Sequence, residues 1–128
     1  MNVVDSSAWL EYLADGPTAN AFAPAVQKPH ELIVPTISIY EVFKKVLSQR
    51  NEDAALQAIS LMGQGTVVDL DTNTALQAAK LSLELKLPMA DSIMLATARA
   101  HDAILWTQDA DFEGIPGVKY HPKKDKRP

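Results

Sequence analysis

The stretch "NVVDSSAWLEYL", residues 2–13, sets the reading of the whole chain. Val3 and Val4 are β-branched and apolar, as in a buried strand, and the run stops on Asp5. Two serines follow, and then Ala8, Trp9, Tyr12 and Leu13 recur on one side at helical spacing. A strand over 2–5 therefore passes into a helix over 7–14, with a carboxylate at the junction and "DGP" (15–17) as the stop. An acid at that junction has two uses. It can cap the helix, or it can wall a site at the carboxyl end of the strand.

The same transition recurs along the chain. "ELIVP" (31–35) reads as a second strand followed by a helix over roughly 37–50, and "EDAALQAISLMG" (52–63) is helical up to its glycine. "TVVDL" (66–70) is a third strand, and "NTALQAAKLSLELKL" (73–87) is a long helix ended by Pro88. "MADSIMLATARAHD" (89–102) is a further helix, "AILWT" (103–107) a fourth strand, and "VKY" (118–120) an edge strand. Short apolar strands alternating with helices imply an α/β/α three-layer structure around a central, mostly parallel sheet of four to five strands.

The bulk properties narrow the class. The 128 residues are one domain's worth, read as a single domain over 1–122 with a basic, disordered tail over 123–128. There is no cysteine, which excludes disulfides and thiolate metal sites. No apolar run approaches the ~18 residues of a membrane span, and no basic segment precedes an apolar leader, so the expected location is cytoplasmic. Net charge is −4, but four of the sixteen acids form a candidate metal site, and the twelve that remain balance the twelve Lys and Arg residues. A bound divalent cation would make the site locally positive, so the acidic balance leaves an RNA substrate open.

Three further acids occupy places equivalent to Asp5. Glu41 lies early in the second helix in "PTISIYEVFKK", Asp91 in the first turn of "LPMADSIMLATAR", and Asp109 just past the fourth strand in "LWTQDADF", with Asp111 two residues on. Capping explains each one singly: Ser38 and Glu41 have capping-box spacing, Asp5 or its serines fit an N-cap, and Asp91 suits the helix dipole. A shared cation explains the four together, because strand ends and the helix starts that follow them face one edge of a parallel sheet. Buried acids repel one another and need protons or a cation. Oxygen donors without His or Cys suit Mg²⁺ or Mn²⁺.

The segments "VVDSSAWLEYLADGP", "ISIYEV", "LPMADSIMLATAR" and "LWTQDADFEGIPGVKY" resemble, in order and over nearly the whole length, the motif regions of PIN-domain ribonucleases. More narrowly they resemble VapC-type toxins of type II toxin–antitoxin modules. The resemblance implies a PIN-like α/β/α fold whose acidic quartet, here Asp5, Glu41, Asp91 and Asp109, is catalytic and holds Mg²⁺ or Mn²⁺. Asp111 would be an accessory ligand or a replacement for Asp109. Ser6 and Thr107 match small hydroxyl residues that flank the metal. It further implies cleavage of RNA leaving a 5′-phosphate and a 3′-hydroxyl, a cognate VapB-like antitoxin seated near "WLEYL" and the second helix, and a homodimer.

Lys44 and Lys45, three and four residues past Glu41, offer a phosphate contact or merely a solvated helix face. Trp9, Trp106, Tyr40, Phe43 and Phe112 read as core or interface residues, Arg99 as a helix-end residue, and the three histidines share no ligand spacing. Two other classes compete. A phosphoacceptor receiver domain would carry paired acids after its first strand and a lysine after a late one, whereas Asp5 is followed by serines and Thr107 by Gln108. A vestigial interaction module would tolerate loss of acids, and all four are present.

Overall fold

The structure, a computed structural model, describes residues 1–124. Five strands, β1 (Asn2–Val4), β2 (Leu32–Pro35), β3 (Thr66–Val68), β4 (Ile104–Thr107) and β5 (Val118–Tyr120), form one sheet in the order β3-β2-β1-β4-β5. Every pairing is parallel, so the sheet is fully parallel and "VKY" is its edge strand. Six helices connect them: α1 (Ser6–Leu13), α2 (Ala19–Val26), α3 (Thr36–Gln49), α4 (Glu52–Met62), α5 (Thr72–Leu85) and α6 (Met89–Ala100).

Side-chain alternation along the strands divides the core into two layers. Val4, Leu32, Val34 and Trp106 point to one face and pack with Trp9, Phe22, Ala25, Val42 and Met62 of α1 to α4. Val3, Ile33 and Leu105 point to the other and meet Leu87, Leu95, Ala98 and Phe112. Helices cover both faces, which is why the strands are apolar throughout. The tail assignment is only partly visible, since residues 125–128 lie outside the described residues.

Helix α2 has no counterpart in the sequence reading. It follows "DGP" and carries Pro24 inside it, and both features argue against a helix. The helix forms because Phe22, Ala25 and Val26 bury one face in the core. Other starts follow local rules: Asn51 accepts from the Ala54 N–H at 2.8 Å and Asp71 from the Thr74 N–H at 2.7 Å. That bond, with the Thr74 hydroxyl, holds the Asp71 carboxyl below the usual range.

Helix α5 ends on Lys86, which sits in the left-handed region at φ 56° while its N–H reaches the Ser82 carbonyl. A side chain with a Cβ is strained there and glycine is not. Lys86→Gly is expected to stabilise the fold by up to ~1 kcal/mol in denaturant unfolding. A loss of stability would show that the Lys86 side chain contributes more than its backbone costs.

Candidate metal centre at the sheet's switch point

The strand order reverses direction between β1 and β4: β2 and β3 extend the sheet on one side, β4 and β5 on the other. In open parallel sheets ligands bind outside the strand carboxyl ends at that point. Asp5 leaves the end of β1, and Thr107, Gln108 and Asp109 leave the end of β4. This order also removes the receiver alternative, whose sheet runs 2-1-3-4-5.

Asp5 is 2 % exposed, and its carboxylate accepts three hydrogen bonds. Its Oδ1 accepts from the Ser7 hydroxyl at 2.7 Å and from the Ala8 N–H at 3.0 Å, which makes it the N-cap of α1. Its Oδ2 accepts from the buried Thr107 hydroxyl at 2.7 Å. The opening carboxylate therefore caps α1 while standing at the carboxyl end of β1. Burial outweighs these bonds and pushes the Asp5 carboxyl up to about 6, with the Asp109 charge adding to the rise.

Asp91 enters from the first turn of α6, whose next seven residues, Ser92 to Ala98, are all buried. The helix is anchored deep while its acid stays half-buried at the sheet edge. Desolvation first, then the charges of Asp109, Asp5, Asp111 and Glu41, push the Asp91 carboxyl up to about 7. Among the described residues no hydrogen bond offsets this.

Asp109 caps the 3₁₀ turn Ala110–Phe112, its carboxylate accepting from the Asp111 N–H at 2.9 Å. Asp5, Asp91 and Asp109 each present a carboxylate oxygen, and these oxygens all lie within 4.8 Å of one another. An octahedral cation with ~2.1 Å bonds to oxygen needs donors at such separations. The donor set is all oxygen, and burial with mutual repulsion raises the Asp5 and Asp91 carboxyls as expected where positive charge is lacking, so the residues present fit Mg²⁺ or Mn²⁺.

Glu41 stands beside this group and outside it. The capping-box alternative fails, because α3 starts at Thr36 after Pro35 and Glu41 lies a turn and a half inside it. The Glu41 carboxylate instead accepts from the Ser6 hydroxyl at 2.6 Å, which ties α3 to the start of α1. Ser38, the other half of the supposed box, is buried with its hydroxyl on the Met94 sulfur. Asp111 is exposed and not among the three clustered acids, although its charge reaches Asp91.

Nothing in its sequence context marks Gln108 as a site residue. It is 7 % exposed, its Oε1 accepts from the Thr18 hydroxyl at 2.7 Å, and its Nε2 faces the Ser7 carbonyl at 3.4 Å. It thereby ties the loop before α2 to the rim of the acid group. A polar residue between two site residues was the only signal available.

Lys44 and Lys45 are both exposed, with the Lys44 ammonium 5.6 Å from the Tyr40 ring centroid. Lys45 lines a groove of about 500 Å³ between α1, α3 and α4, with Ser7, Leu10, Leu13, Val46 and Gln108. Tyr40 is 54 % exposed and so is not a core residue. Trp9, Trp106 and Phe112 are buried as expected, and Arg99 donates to the Pro116 carbonyl at 3.3 Å.

The model of the PIN domain matches residues 3–118, nearly all of the chain. The chain belongs to the PIN domain family. Solved structures with the same PIN architecture include a toxin–antitoxin complex from Klebsiella pneumoniae, 23% identical, covering 93% of this chain and 96% of that one at a TM-score of 0.79. The sarcin–ricin loop cleaving toxin VapC20 of Mycobacterium tuberculosis is 19% identical over 91% of this chain and 95% of its own, at 0.74. VapBC-1 of nontypeable Haemophilus influenzae is 19% identical over 94% and 96%, at 0.71. At these identities the likeness is one of fold. No curated protein sequence matches significantly. Among the described residues no helix is long and apolar enough to cross a membrane.

Proposed function

We propose that this PIN domain is a Mg²⁺- or Mn²⁺-dependent endoribonuclease and the toxin of a toxin–antitoxin pair. The observation that carries the reading is the convergence of Asp5, Asp91 and Asp109 at the β1/β4 switch point. A divalent cation bound there would lower the pKa of a coordinated water and neutralise charge at phosphorus. Asp5, Asp91 and Asp109 would hold that cation through their carboxylate oxygens. Glu41, set apart by its bond to Ser6, is free to take the proton from the attacking water, and Asp111 adds negative charge at the rim. Lys44 and Lys45 lie on the exposed side of the same helix, where phosphates can be met.

The toxin assignment is supported by the VapBC and other toxin–antitoxin complexes among the solved structures of the same fold. The groove bordered by Leu10, Leu13 and Val46 is the surface proposed for an antitoxin segment. Leu76, Leu83 and Met89, exposed on α5 and at the start of α6, are proposed as the surface on which two copies meet.

Purified protein is expected to cut RNA in the presence of Mg²⁺ or Mn²⁺ and to stop when EDTA is added. Glu41→Gln is expected to lower the rate by 10²- to 10⁴-fold, roughly the contribution of a general base. Undiminished cutting in EDTA would end the metal assignment, and undiminished cutting by Glu41→Gln would remove that residue's role.

A further inference from the structure

Thr107 has no exposed surface, yet its hydroxyl makes two bonds that meet at the acid group. It donates its one proton to Asp5 Oδ2 at 2.7 Å, and its oxygen accepts the Asp109 N–H at 2.9 Å. The sheet register makes this possible. Val4 pairs with Trp106, so the next residues, Asp5 and Thr107, come side by side as the two strands end. One hydroxyl therefore spans two walls of the site, the carboxylate of one and the backbone of the other.

The bonds also count out what Asp5 has left. An ionised carboxylate offers about four lone-pair positions. Ser7 and Ala8 take both on Oδ1, and Thr107 takes one on Oδ2. A single position remains, on the oxygen that Thr107 holds. Asp5 is thus restricted to one bond to a cation. Mg²⁺ and Mn²⁺ accept compact one-oxygen donors, whereas Ca²⁺ favours more ligands and carboxylates that bind through both oxygens.

We infer that Thr107 is a positioning residue: with Oδ1 of Asp5 closed by Ser7 and Ala8, it aims the one open position on Oδ2, fixes the spacing of Asp5 from Asp109, and so selects a small cation over Ca²⁺. This rests on the reading of the three acids as a cation site. A purely structural role for the hydroxyl would affect stability and leave cation preference unchanged.

The test is titration of the metal-free protein with Mn²⁺ and with Ca²⁺ by calorimetry, well below the melting temperature. Wild type is expected to prefer Mn²⁺. Thr107→Val, which keeps the shape and removes both bonds, is expected to lose Mn²⁺ affinity by ~10- to 100-fold with a smaller change for Ca²⁺, so the preference collapses. Thr107→Ser is expected to restore it. Ser38→Ala, which removes a buried hydroxyl bonded only to Met94, is expected to keep the wild-type preference. If Val at 107 prevents folding, Thr107→Ala carries the same expectation. An unchanged Mn²⁺-to-Ca²⁺ ratio in a folded Thr107 variant lacking the hydroxyl would overturn the inference alone. Absence of Mn²⁺ binding by wild type would overturn the cation-site reading and this inference with it.

Discussion

Asp91→Asn is expected to abolish RNA cleavage while making the metal-free protein more stable at pH 8. The two effects have one cause. No hydrogen bond among the described residues supports the Asp91 charge, and burial first, then the charges of four other acids, push its carboxyl up to about 7. In the unfolded chain the same group loses its proton near 3.8. The folded state therefore binds that proton more tightly, and stability falls as pH rises from about 4 through 7. At pH 8 the charge is a cost that the amide does not carry, so the melting temperature of the variant rises above wild type. At pH 5, where the native acid is largely protonated, the gain shrinks. The catalytic loss comes from removing a ligand oxygen, and at least a ~100-fold fall in rate is expected, since disturbing even the partners of metal ligands costs 10- to 100-fold. A variant that is less stable than wild type at pH 8 would mean that Asp91 is supported by an interaction other than a cation. A variant that still cuts RNA would remove it from the site.

Divalent metal is expected to raise the melting temperature by an amount that grows with pH. Asp5, raised from 3.8 to about 6, and Asp91, raised to about 7, both hold protons that a cation must displace. For buried Asp5 the rise corresponds to about 3 kcal/mol against the ionised form. A cation supplies the missing positive charge, so its stabilising effect is full above pH 7 and declines through pH 6 to 4. With metal at about 100 times its Kd, linkage gives ~2.7 kcal/mol, on the order of 10 °C for a chain of this size. Thermal scans with and without Mn²⁺ at pH 5 and pH 8 measure this. A shift independent of pH would show that the cation binds somewhere other than these acids.

Much of this architecture was legible in the chain because its strands are short, apolar and separated by recognisable helices. The strands at 2–5, 31–35, 66–70, 103–107 and 118–120 all correspond to observed ones, within the usual end effects. Helix α2 was not legible, since Pro24 and the "DGP" ahead of it are local signals that a buried Phe22 overrides through tertiary packing. The acids could be named from their places at strand ends, but their division could not. Nothing in the spacing of Ser6 and Glu41 says that they touch across 35 residues, or that this bond stands Glu41 apart from the other three acids. The same holds for Thr107 and Asp5, which sheet register alone brings together. Capping also leaves Asp5 a second oxygen, since it caps α1 with one and faces Thr107 with the other.

The most direct measurement is anomalous diffraction from crystals of the protein grown or soaked with Mn²⁺. The account predicts a peak bonded to carboxylate oxygens of Asp5, Asp91 and Asp109, with a single oxygen of Asp5 in contact. A fully occupied Mn²⁺ site held by other residues, or intact acids with no peak between them at saturating Mn²⁺, would contradict it.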